Sequence, residues 1–85
     1  MQFLQYNTNR ATYTDTDGNT WLIYKINEFV NGYPSISFYV QKEDYGIIEQ
    51  AFGLAEDERD NVEHGLYDAQ ICDYIESVKD NDQWN

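Results

Sequence analysis

Two turn dipeptides constrain this chain more than anything else in it. Asp17-Gly18 and Asn31-Gly32 each sit between runs rich in Thr, Tyr, Trp and Ile, residue types that suit a pleated surface. A two-residue type I′ turn needs φ > 0 at both central positions, so Asp-Gly and Asn-Gly are strong signs of a hairpin. Ala11 to Ile26 therefore reads as one hairpin, with Thr14 facing Trp21, Thr12 facing Ile23 and Tyr13 facing Leu22. Phe3, Leu4 and Tyr6 are expected to lengthen its first strand or to form another. Asn31-Gly32 then returns Tyr33 through Gln41 along the second strand, setting Ile23 opposite Val40, Lys25 opposite Phe38 and Tyr24 opposite Tyr39. Alternation along each strand sorts these residues into two faces. Trp21, Ile23, Ile36, Phe38 and Val40 make the better core face; Tyr13, Leu22, Tyr24, Ile26, Ser37 and Tyr39 make the other. Pro34, just after the turn, is compatible with an edge strand.

From Lys42 the apolar period becomes helical. Tyr45, Ile47, Ile48, Ala51 and Phe52 fall within about half a turn of a helical wheel. Asp44 is the expected N-cap, Gly53 the C′ residue, and Leu54 folds back onto Ile48. Residues 55–65 are the least apolar part of the chain and read as a loop or a solvated helical turn. A second helix is expected from Leu66 to Lys79, with Tyr67, Ile71, Tyr74, Ile75 and Val78 on one stripe. The tail 81–85 is expected to fray, with Trp84 as the residue able to dock back. The fold class that follows is α+β: an antiparallel three- to four-stranded sheet with two helices packed on one face, in the order β-β-β-α-α. Eighty-five residues make a single domain, long enough for one modest core, with residues 1–41 its sheet half and 42–85 its helical half.

The charge divides the chain one residue later, after Lys42. Residues 43–82 carry thirteen carboxylates against Arg59 and Lys79, whereas Asp15, Asp17 and Glu28 cancel Arg10, Lys25 and Lys42 in the first half, so the whole net charge of −11 lies in one stretch. Asymmetry of this kind speaks of partners rather than of fold. It argues against direct contact with nucleic acid or an anionic membrane, since both would be repelled. The single cysteine, Cys72, excludes an intrachain disulfide and fits a reducing compartment. No apolar run has the length of a signal peptide core or a membrane span, so a soluble, cytoplasmic protein is expected.

Motifs that would carry chemistry are few. Asp15-Thr16-Asp17-Gly18-Asn19 has the flavour of a calcium loop, but an EF-hand needs glycine at the sixth position and glutamate at the twelfth, where Thr20 and Ile26 stand. The hairpin turn accounts for the same residues. His64 is the only histidine, which rules out a histidine metal cluster, and Cys72 lies at the flank of an apolar stripe, as a small packed side chain does. No HExxH, CxxC or phosphate-cradling glycine loop is present. A non-enzymatic protein without cofactor or metal is expected.

The acidic half then becomes the candidate binding surface. Carboxylates three or four residues apart on a helix lie about 5–6 Å apart, close to the repeat that a phosphate-reading groove expects. Asp73, Glu76 and Asp80 give one such row, and Glu56, Asp57, Glu58, Asp60 and Glu63, with Asp68, a second group. Tyr13, Tyr24 and Tyr39, on neighbouring strands, form a secondary interaction patch. In size, acidity and lack of catalytic motifs the chain resembles, as a physical type, the small inhibitors that phages use against host defence, such as anti-CRISPR, anti-restriction and uracil-DNA glycosylase inhibitor proteins. That likeness implies a DNA or RNA mimic, monomeric or homodimeric, that binds a basic nucleic-acid-handling protein. Two alternatives fit the same residues: an immunity or antitoxin-type protein capping a cognate nuclease, and a small phage structural protein that self-associates through the tyrosine face.

Overall fold

The computed structural model describes residues 4–84. Four strands, β1 (Arg10–Thr14), β2 (Thr20–Val30), β3 (Tyr33–Lys42) and β4 (Glu49–Ala55), form one antiparallel sheet in the order β1-β2-β3-β4. A 3₁₀ turn at Glu56–Glu58 leads into α1 (Arg59–Glu63); α2 (Asp68–Val78) and a last 3₁₀ turn at Asp82–Trp84 follow. The class is α+β as expected, with four strands and two helices.

The second hairpin has the expected form. Asn31 and Gly32 have φ of 53° and 84°, as a type I′ turn requires, and Ile23 pairs with Val40, Tyr24 with Tyr39 and Lys25 with Phe38. The first hairpin does not. Its connection is the five residues Asp15 to Asn19, and Tyr13 pairs with Trp21, Ala11 with Ile23 and Thr12 with Leu22. The reason is the Asp15 carboxylate. Its Oδ1 accepts the backbone N–H of Asp17 and of Asn19, each at 2.9 Å, and its Oδ2 accepts Trp21 Nε1 at 2.8 Å. Gly18 N–H closes on the Asp15 carbonyl at 3.0 Å, with Asp first and Gly fourth, the placement that type I turns favour. A slip of one residue moves every side chain of a strand to the opposite face. Tyr13 and Ala11 consequently join the core.

Residues 43–53 are not a helix. Lys42 to Tyr45 make a tight turn through Asp44 at φ 71°, and β4 follows, pairing Phe52 with Phe38 and Leu54 with Ile36. A short apolar run is ambiguous between helix and strand on spacing alone. Gly46 and Gly53 weaken a helix, and β3 offers an unpaired edge whose N–H and C=O groups need partners. A shift of register between Phe38 and Tyr39 marks a bulge, so that Ala51 and Phe52, consecutive in sequence, both pack against the core. The glycine that does end a helix is Gly65, at φ 77°. Its N–H reaches the Val62 carbonyl and the Leu66 N–H the Asn61 carbonyl, both at 3.0 Å. That is a Schellman closure of α1; the one expected at Gly53 is absent because there is no helix there to close.

One buried cluster unites the expected core face of the sheet with Ala11, Tyr13, Val62, Ile71, Cys72, Ile75 and Trp84. Trp84 is fully buried, edge-on to Trp21 with ring centroids 5.0 Å apart, and Lys42 Nζ holds its carbonyl at 2.9 Å. The tail is therefore docked through Asp82–Trp84. Leu4 and Tyr6 pack on the cluster without forming a strand, Asn7 makes an isolated bridge to Arg10, and Phe3 lies outside the described residues. No helix among the described residues is long and apolar enough to cross a membrane.

Two substitutions test these supports. Asp15→Ala removes three hydrogen bonds to one carboxylate and orphans the indole N–H of Trp21, an expected loss of about 2–3 kcal/mol. Urea unfolding measures it, and a midpoint unchanged from wild type would refute the role given to Asp15. Trp84→Ala leaves a large core void and should cost about 3–5 kcal/mol in the same assay; a change under about 1 kcal/mol would mean that the tail is dispensable.

Candidate functional site

The nine carboxylates read as a binding surface separate into three groups once the chain is folded. The first is structural. Asp68 opens α2 but is only 5% exposed, and its Oδ2 accepts Leu4 N–H at 2.9 Å. Glu76 turns back onto the first hairpin, accepting Tyr13 OH, Thr16 Oγ1 at 2.8 Å and Thr16 N–H at 3.1 Å. Both are tied into the fold, so the expected row Asp73-Glu76-Asp80 loses its middle member. The second group is internally paired: Glu56 chelates Arg59, which also reaches Asn27 Oδ1 at 2.7 Å, and Glu58 accepts from Asn61.

The third group faces solvent. Asp57, Asp60 and Glu63, around α1, are exposed, as are Asp73 and Asp80. On α2 the buried residues Asp68, Ile71, Cys72 and Ile75 occupy one side, which leaves Asp73, Ser77 and Asp80 outward. Among the described residues the ion pairs are Glu56–Arg59, Asp17–Lys79 and a 3.7 Å contact of Lys79 with Asp80, whose side chain is 85% exposed. Lys25 lies over the Tyr6 ring and Lys42 over the Tyr45 ring. Among the described residues, no ion pair within 4 Å involves Asp57, Asp60, Glu63 or Asp73.

The tyrosine trio does not assemble. Tyr24 and Tyr39 are cross-strand partners on the non-core face, where Tyr24 OH donates to Gln41 Oε1 at 2.9 Å and Tyr39 OH to Glu28 Oε1 at 2.7 Å. Tyr13 is buried on the core side, a consequence of the Asp15 turn. In its place, Ile26 and Ile48 complete an apolar hollow with Tyr24 and Tyr39. Ile48 was out of reach of sequence reasoning because its segment read as a helix; the signal against that reading was the pair of glycines at 46 and 53.

Groups capable of covalent or metal chemistry are placed unfavourably for it. Burial, reinforced by the charges of Asp68, Asp73 and Glu76, pushes the Cys72 thiol up to about 11, so it is a protonated core side chain at neutral pH. His64 is exposed, with Nδ1 2.6 Å from the Asp60 carbonyl oxygen. In the 15–19 turn Asp15 is buried and accepts three N–H donors, and Asp17 pairs with Lys79. No group of three or more His, Cys, Asp or Glu among the described residues is arranged to hold a metal ion. Comparison with protein-family models, with curated proteins and with solved structures finds no match to this chain.

Two carboxylates tied into the fold, Glu76 and Asp15, predict a pH response. The hydrogen bond from Tyr13 holds Glu76 below its ordinary 4.5; burial opposes it and Thr16 adds to it. For Asp15, burial pushes upward, but the hydrogen bonds from Trp21, Asn19 and Asp17 and the charge of Lys79 outweigh it, for a net fall below 3.8. Groups lowered on folding contribute stability that is complete above their unfolded values and is lost as pH falls through the folded ones. Stability should therefore be undiminished above about pH 5 and decline below about pH 4. Glu76→Gln should lose about 1–2 kcal/mol at neutral pH and flatten that decline. Thermal melts across the range decide it: an acid limb identical in variant and wild type would contradict the assignment.

Proposed function

We propose that this protein is a non-catalytic inhibitor that occupies the basic groove of a nucleic-acid-handling protein, presenting carboxylates where that groove expects phosphates. The observation that supports this reading is the set of exposed acids Asp57, Asp60, Glu63, Asp73 and Asp80 on the α1 and α2 segments and the turn that follows α2. Like charges held close on a folded surface repel one another, and a cationic partner relieves that repulsion on binding. The same field speeds encounter and orients the partner, while contacts at short range hold the complex. Asp68, Glu76, Glu56 and Glu58 serve the fold and leave the binding set.

The division of the acids makes the test sharp. Neutralising the five exposed residues together (Asp57→Asn, Asp60→Asn, Glu63→Gln, Asp73→Asn, Asp80→Asn) should leave the melting temperature unchanged or raised and weaken partner binding by at least about 100-fold. Affinity capture from host lysate at low and high salt identifies the partner, and titration with excess duplex or structured RNA should displace it. A basic nucleic-acid-binding protein retained with full affinity by the five-fold variant would overturn the proposal.

A further inference from the structure

The face of the sheet that carries Tyr24 and Tyr39 has the opposite character to the acidic segments. Register places Arg10, Thr12, Leu22, Ile26, Glu28, Val30, Tyr33 and Gln41 on the same side. Tyr24, Ile26, Tyr39 and Ile48 line a hollow with Ile26 37% and Ile48 54% exposed, and Val30 and Tyr33 extend the apolar surface at 51% and 75%. Among the strand residues of this face the only charges are Arg10 and Glu28, one of each sign. In a chain of net charge −11, the strand residues of this face sum to a charge of zero.

We infer that this face is where a second copy of the chain docks. Two molecules of such charge repel in most orientations, and the approach that keeps the acidic segments of both copies apart sets these sheet faces against each other. A two-fold axis makes such an interface self-complementary: each copy contributes one cation, one anion and the same row of Ile and Tyr. Facing sheets pack about 10 Å apart with their strands at about 30°, a geometry in which Tyr24, Ile26, Tyr39 and Ile48 of each copy meet those of the other. The strands span about 20 Å across and somewhat more along their length, on the order of 500 Å² per copy, which is at the small end of specific interfaces. The dimer is accordingly weak, with association in the micromolar range or above, and it is independent of the binding proposed for the acids.

Its salt dependence distinguishes it. Attraction to a basic partner fades as salt screens the acids, whereas self-association strengthens, because salt screens the repulsion between copies and leaves apolar contact intact. Sedimentation equilibrium over a range of concentrations, at about 20 mM and about 500 mM salt, reads this directly. The full chain should pass from its monomer mass of 10.0 kDa toward about 20 kDa, more readily at high salt. Ile48→Glu lies in the loop ahead of β4, outside the sheet ladder, and Ile26→Glu lies on the face itself; each should hold the protein monomeric with an unchanged circular dichroism spectrum. Should Ile26→Glu fail to fold, Ile48→Glu carries the test alone. A wild type that stays at 10.0 kDa at high salt and the highest concentration would overturn the inference. So would variants that dimerise as well as wild type, or growth past the dimer, which would indicate strand addition at sheet edges instead.

Discussion

One carboxylate sets the geometry on which the rest depends. Asp15 sits at the end of β1, takes the N–H groups of Asp17 and Asn19 and the indole of Trp21, and so fixes a five-residue turn where its neighbours spell a two-residue one. Everything that β1 contributes follows from that choice. Tyr13 is carried beneath the sheet, where its hydroxyl meets Glu76; Thr16 in the turn meets the same carboxylate, and Asp17 meets Lys79. The first hairpin and α2, more than fifty residues apart in sequence, are thereby bound by a polar cluster at the rim of an apolar core. A buried charge in such a place is tolerable only because its lone pairs are filled.

The same folding event sorts the acids. A sequence with thirteen carboxylates in forty residues offers no sign of which are structural. In the folded chain Asp68 and Glu76 are consumed by backbone and hydroxyl donors and Glu56 by Arg59. What is left outward is a smaller set, Asp57, Asp60, Glu63, Asp73 and Asp80. Electrostatic repulsion among these residues opposes folding, and the core must outweigh it: two tryptophans in edge-to-face contact and the aliphatic face of three strands.

The molecule has two unlike sides as a result. Pleating sends alternate residues of each strand to opposite faces, and in this chain the residues sent away from the core are nearly uncharged, whereas the helical segments carry the acids.

Sequence alone determined the second hairpin, because Asn31-Gly32 is a local backbone requirement that no distant contact needs to enforce. It determined the core face of β2 and β3 and the last helix, expected over Leu66 to Lys79 and found at Asp68–Val78, for a similar reason: strong periodicity states which side of an element must leave water. It also placed the charge in one half of the chain. Tertiary structure decided the remainder. Whether residues 49–55 became helix or strand rested on the vacant edge of β3, since the local pattern satisfied both. The register of the first hairpin rested on a side chain reaching Trp21, a contact six residues along the chain that turn dipeptides do not encode. Which carboxylates face solvent rested on what stands opposite each of them after folding, and that is a property of three dimensions: a charge is spoken for only when a donor from elsewhere in the chain arrives beside it.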